Sequence, residues 1–279
     1  MTSPMFLLMI LVLMAMPRPG QQGSINTSPL RLAAQPSYMS NGQTFGTTPA
    51  PAVQRNPNDP HFGGRASNGL VWVEQFGNQI GAVVKNYAAG GASVSRALSP
   101  SDVPQTDMIG HVRTFLNQRN HVDASSSMAM ISYGINDWAS SSRHGTQNLP
   151  KAAQELVRQT ELLVQAGIRN VVVLSPPMMS GPLVNFNNII WNGLKALRNR
   201  NPAIQFAYVD FTALYSAITS NPRSFGYLST SSCLPSATSM SGACSNPNVY
   251  LYYLPRHPQK LTHGLMAEWV QGVLSNCRS

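Results

Sequence analysis

Short apolar runs and longer amphipathic stretches take turns along the chain. Met128 to Tyr133, Val171 to Leu174 and Ile204 to Val209 are continuous runs rich in β-branched or bulky apolar residues, and they predict buried strands. Val83 and Val84 predict a further strand, and Arg31 to Ala34 a short one. Between these runs apolar residues recur at helical spacing. Pro150 opens one helix and Ala166-Gly167 closes it, with Leu156, Val157, Leu163 and Val164 facing inward. Val184 to Arg200 carries Ile189, Ile190, Leu194 and Leu197 on one face. Further helices are predicted over Val103 to Arg119, from Phe211 behind a capping Asp210, and over Leu261 to Asn276, with Leu265, Met266, Trp269 and Val273 toward the core. Ser67 or Asn68 is placed to cap a helix over Leu70 to Phe76. Regular alternation of strand and helix implies an α/β fold with a mostly parallel sheet and helices on both faces. No internal repeat or second domain is visible.

The amino end departs from this pattern. Met5 to Met16 is an unbroken apolar run, too short for an ordinary membrane span and suited to the apolar region of an export signal. Residues 1–24 are therefore read as a leader and 25–279 as one domain. A membrane anchor or a mis-assembled amino terminus is the alternative, because no Lys or Arg precedes the run and no Ala-x-Ala site follows it. Gln43 to Gly64, rich in Pro, Gly, Asn and Thr, reads as a long surface loop of the kind that often serves function.

Composition adds to the export reading. Only 10% of the 279 residues are charged, so Ser, Asn, Gln and Thr must cover the surface, which suits an extracellular protein. The net charge of +9 allows a weak attraction to anionic surfaces. The basic residues are scattered and not interleaved with aromatics, which argues against nucleic acid as a partner. Cys233 and Cys244 bracket a small-residue loop and would pair in an exported chain, leaving Cys277 free or paired between chains. No Cys or His spacing suits zinc, and no metal or cofactor is expected.

Candidate chemistry sits where runs end. Open α/β sheets keep their ligands beyond the carboxyl ends of strands. Behind Met128 to Tyr133, Gly134 breaks the run and Asn136 and Asp137 follow; an Asn there can aim an N–H at a developing oxyanion, although such a turn is equally a plain loop. Gly90-Gly91, in Asn86-Tyr87-Ala88-Ala89-Gly90-Gly91-Ala92, lets backbone N–H groups approach a ligand, or is a tight turn. Gln35 to Gly42 is, on composition, a polar turn. His257 stands in a loop before the last helix, while His61, His111, His121, His144 and His263 have no supporting context and read as structural or exposed.

Together these blocks resemble the GDSL, or SGNH, esterases and acylhydrolases, most closely their fungal-type secreted branch. The match lies in Ser67-Asn68-Gly69-Leu70-Val71-Trp72-Val73, in Asn86 to Ala92, in Gly134-Ile135-Asn136-Asp137 and in His257-Pro258. The resemblance implies a flavodoxin-like three-layer sandwich. Gln35 to Gly42 then corresponds to the nucleophile block, with Ser37 as nucleophile. It further implies oxyanion donors from the Ser37 N–H, the Gly91 (or Gly90) N–H and the Asn136 side chain, and His257 as general base. Gln35 and Pro36 replace the family's Gly and Asp, and Leu254 stands where the triad aspartate belongs. The expected activity is a secreted, monomeric carboxylic ester hydrolase acting on small-molecule, carbohydrate or lipid esters. The alternative is an impaired relative that binds a glycan or lipid.

Overall fold

The computed structural model describes residues 6–9, 38–42, 45–46, 51–54, 56–100, 107–178 and 181–276. Ser37 and the two residues before it, the strand expected over Arg31 to Ala34, and Cys277 lie outside them.

Among the described residues five short strands, paired in parallel, make the central layer: β1 (Phe6–Met9), β2 (Val83–Asn86), β3 (Met128–Ile131), β4 (Asn170–Leu174) and β5 (Gln205–Val209). β1 pairs with β2, β3 with β4 and β4 with β5. β1 also lies beside β3, so the spatial order is β2-β1-β3-β4-β5. This is the doubly wound order whose switch point falls between the first and third strands. Phe6–Met9 belongs to the apolar run read as an export leader, and here it supplies β1.

The strands sort their side chains by twos, as a pleated ribbon must. Ala129, Ile131, Val171, Val173 and Phe206 face one apolar core. That core is closed by α2 (Met108–Asn117), α3 (Ile135–His144), α4 (Leu149–Gln165) and α5 (Gly181–Arg200). Met130, Val172, Leu174, Ala207 and Val209 face the other, beneath α1 (Trp72–Gln79), α6 (Phe211–Ser220) and α7 (Lys260–Ser275). Residues buried on both faces explain why the strands read as continuous apolar runs rather than as alternation. The protein is thus the α/β three-layer sandwich with a parallel sheet that its sequence pattern implies. Among the described residues no helix is long and apolar enough to cross a membrane.

Several helix starts differ from expectation; α5, for one, begins at Gly181 and not at Val184. α2 begins at Met108, not Val103, because the Asp107 carboxylate caps it by accepting the Gly110 N–H at 2.9 Å. Neither Ser67 nor Asn68 caps α1. Its first turn is held by Glu74, which accepts the Val71 N–H at 3.1 Å, and Asn68 accepts the Lys260 N–H at 2.7 Å instead. That bond ties the Ser-Asn-Gly block to the head of α7. Glu74 also holds the fully buried Arg65, Nε to Oε2 at 2.7 Å. Asp210 caps α6 as expected, accepting the Thr212 N–H at 2.8 Å.

A second, small sheet was not anticipated. β6 (Ser229–Ser232) runs parallel to β7 (Tyr250–Leu254), and β8 (His257–Pro258) returns antiparallel to β7. His257 is therefore a strand residue, not a loop residue. The Cys233–Cys244 disulfide forms at the end of β6, and Cys233 packs with Leu234, Tyr253 and Leu254 in a separate apolar cluster.

Candidate active site

At the carboxyl end of β2, Asn86 reaches two ways. Its amide N–H donates to the Met39 carbonyl at 2.5 Å, and its oxygen accepts the Ala88 N–H at 2.8 Å. The turn after residue 37 is thereby joined to the glycine loop. Within that loop Gly91 has φ +82, a conformation that suits glycine. Its N–H has no acceptor among the described residues.

At the carboxyl end of β3, Gly134 turns the chain into α3 with φ +110, and a Cβ there would meet the Phe186 ring at 2.7 Å. No other residue fits both the dihedral and the space. Asn136 and Asp137 then occupy the first turn of α3. The Asn136 amide donates one N–H to the Ala92 carbonyl at 2.7 Å, which fixes the plane of the amide and the direction of its second N–H. The buried Asp137 carboxylate accepts the Val94 N–H at 3.1 and 3.2 Å and the Ser99 hydroxyl at 2.7 Å. Burial pushes its pKa up to about 6, against these hydrogen bonds, which lower it.

The small sheet brings the histidine. Leu254, Pro255, Arg256 and His257 form the β7–β8 connection, in which Leu254 lies directly opposite His257. Proline at the first turn position and φ +67 at Arg256 are the features of a type II turn, whose second position ordinarily takes Gly or Asn. The turn directs the Pro255 carbonyl at the His257 ring, 2.9 Å from Nδ1. A carbonyl only accepts, so Nδ1 carries the proton and Nε2 the lone pair of the neutral ring. Burial drives the His257 pKa down to about 4, with the bond to the Pro255 carbonyl opposing it and the nearby His61 and Arg256 adding to it. The ring is thus neutral at pH 7. Leu254 is buried in the apolar cluster behind the turn.

Tyr38 joins the two halves. Its hydroxyl donates to the Arg256 carbonyl at 2.6 Å, and its ring meets the His257 ring edge-on at a centroid distance of 6.2 Å. The residue next to position 37 therefore packs against the imidazole. Asn86 and Tyr38 both brace the turn around residues 38–39, a role the sequence reading did not assign to them. A polar Asn ending an apolar strand was the available signal for the first; nothing marked the second.

Three other histidines are structural or partly exposed, as the sequence suggested. His61 has a carboxylate partner, with Nδ1 3.0 Å from Asp59 Oδ1. His111 is buried with Nδ1 2.5 Å from the Tyr133 hydroxyl, just ahead of Gly134. His263 is fully buried beside Tyr38, at a centroid distance of 6.4 Å, and burial lowers its pKa to about 3.

Through the turn at residues 38–39, Asn86 at the end of β2 and the Arg256–His257 turn are tied to one another. A glycine loop and a side-chain amide are groups that can stabilise an oxyanion, and a neutral imidazole is one that can accept a proton. The chain belongs to the GDSL-like lipase/acylhydrolase family, whose model matches residues 39–270. The matched span holds Gly91, Asn136 and His257 and begins two residues after Ser37. No curated protein matches the chain.

Proposed function

We propose that the protein is a secreted serine ester hydrolase of the fungal-type branch of its family. The Ser37 hydroxyl attacks the ester carbonyl and its proton passes to His257 Nε2. The Ser37 and Gly91 N–H groups and the second Asn136 amide hydrogen stabilise the oxyanion. His257 then protonates the departing alcohol, and water releases the acyl group by the reverse sequence. Small acyl groups on carbohydrate, or lipid esters, are the substrate class the branch suggests.

The observation that carries this reading is the Tyr38 bridge, which sets the neighbour of Ser37 against His257. The Pro255 carbonyl supports it further. A triad carboxylate holds the imidazole tautomer and stabilises the imidazolium, and having the wrong tautomer costs about 10⁴ in rate. Here the carbonyl keeps the productive tautomer and forgoes only the charge, so the loss is smaller. The buried Leu254 favours a second reading, a protein that keeps the pocket and binds a glycan or lipid without turnover.

Release of p-nitrophenol from short-chain esters separates the two. Wild type hydrolyses acetate or butyrate esters, and Ser37→Ala falls to the buffer rate. Equal rates for the two proteins end the hydrolase reading. Export is supported by the Cys233–Cys244 disulfide and the sparse surface charge. Phe6–Met9 cannot both remain as β1 and leave with a leader, so mass spectrometry of the amino terminus of the exported chain decides that point.

A further inference from the structure

We propose that Asp137 is a positioning residue of this site, its buried carboxylate holding the Gly90-Gly91 loop in register with Asn136. The inference rests on the hydrolase reading above and concerns a residue that touches no substrate.

The geometry is a two-point clamp. Consecutive residues at the head of α3 grip the loop with opposite polarity. Asn136 donates to the Ala92 carbonyl, and Asp137 accepts from the Val94 N–H and the Ser99 hydroxyl. Residue 93, between the two grips, is fixed as well: its carbonyl accepts the Met108 N–H at 3.0 Å and its hydroxyl donates to the Ser99 carbonyl at 3.3 Å. Everything from Ala92 onward is thereby anchored, and Gly91, immediately before it, is the hinge whose N–H must meet the oxyanion. An error of an ångström in such a donor is felt in rate, not in binding. The carboxylate is also a poor choice for stability alone. A buried charge opposes folding unless it is well paired, and among the described residues Asp137 has hydrogen bonds but no cation beside it. A costly group held against the reacting loop points to placement as its purpose.

Protonation should loosen the clamp. With one oxygen carrying a proton, the Val94 N–H keeps only the other as a full acceptor and loses the attraction of the charge. The titratable groups around it are Tyr133 ahead of Gly134, Asp107 and His111 on the α2 side, and His144 across the shallow cleft that Asp137 lines with Ser99 and Ser140. Burial first, then Asp107 and Asp137, keeps the Tyr133 hydroxyl protonated, and burial lowers the His111 pKa to about 4, so neither gains charge near pH 6.

The test compares wild type, Asp137→Asn and Ser99→Ala on p-nitrophenyl acetate, with hydrogen exchange of the peptide spanning residues 88–99. Asp137→Asn is expected to lower kcat about tenfold with KM nearly unchanged, and Ser99→Ala to lower it about threefold. In wild type, kcat/KM falls as pH drops through about 6, where Asp137 takes a proton. In Asp137→Asn that limb is gone, and only the fall near about 4, from His257, remains. A melting curve checks that the isosteric variant is folded. Wild-type kcat in both variants, or an unmoved limb in Asp137→Asn, overturns the proposal. If wild type shows no Ser37-dependent turnover, the hydrolase reading fails by itself, and exchange decides the clamp: faster exchange at 88–99 in Asp137→Asn upholds it, and unchanged exchange ends it.

Discussion

The two halves of the site are built by different means. The half proposed to receive the oxyanion grows out of the main parallel sheet and is held by side chains. Asn86 holds Met39, Asn136 holds Ala92, and Asp137 holds Val94. The half proposed to receive the proton sits on the small sheet and is held mainly through backbone carbonyls. The Pro255 carbonyl orients His257, the Arg256 carbonyl is anchored by Tyr38, and opposite His257 stands the apolar Leu254. The donor half is therefore preorganised by polar groups that can be deleted one at a time. The base half is set by turn geometry, and is poor in charge where the imidazolium must form. The contrast teaches where substitution should be most damaging and where it should improve matters.

Asn136→Ala should break the stronger half outright. It removes an oxyanion donor and also leaves the Ala92 carbonyl without its partner. A fall in kcat of about 10² to 10³ is expected, with little change in KM, since removing one such donor typically has that effect. A KM change that accounts for the whole loss would mean that Asn136 holds ground-state substrate and not the oxyanion. Steady-state kinetics on a short-chain ester reads the difference.

Leu254→Asp sharpens the comparison from the weaker side. Leu254 and His257 are direct cross-strand partners, so a carboxylate at 254 lies beside the imidazole. An anion there favours the charged ring and should raise the His257 pKa above about 4, moving the acid limb of kcat/KM to higher pH. Transition-state imidazolium is stabilised too, and kcat should rise about tenfold. Stability should fall at the same time, by about 2 kcal/mol, because an apolar side chain leaves the cluster around Cys233 and Tyr253. A lower Tm together with an unmoved acid limb would show that the carbonyl-held ring has no room for a carboxylate.

The same division explains how much the sequence disclosed. The main sheet was readable because strands buried on both faces must be continuous apolar runs, and β3, β4 and β5 are such runs. Gly134, Asn136 and Asp137 stood out with it, since they follow the end of β3, whereas Gly91 follows the shorter β2 and β1 fell in a run read as a leader. The small sheet was not. Ser229–Ser232 is entirely Ser and Thr, with no alternation to mark a strand, and β8 is two residues long, defined only by its pairing across a turn. Asn68 looked like a local cap because local pattern cannot show a partner 192 residues away. Burial of His111 and His263 was hidden for a similar reason: one imidazole inside an otherwise apolar helix face leaves no periodic trace. Ser37 is carried by resemblance alone, which is why its substitution is the experiment on which the hydrolase reading turns.

The smallest expected effect probes the turn itself. Arg256 adopts φ +67 with a full side chain, a conformation that strains residues with a Cβ and that glycine takes freely. The strain persists because Tyr38 and the β7–β8 pairing determine the turn from both sides. Arg256→Gly should therefore stabilise the protein by about 1 kcal/mol, seen as a modest rise in Tm, the relief being partly offset by the greater freedom of glycine in the unfolded chain. It also removes a positive charge that lowers the His257 pKa, so the acid limb should move slightly upward while kcat at neutral pH stays within about twofold. If Tm falls instead, the exposed arginine is holding the turn through a contact of its side chain. The base half would then depend on side-chain placement as the donor half does, and the contrast between the two would narrow.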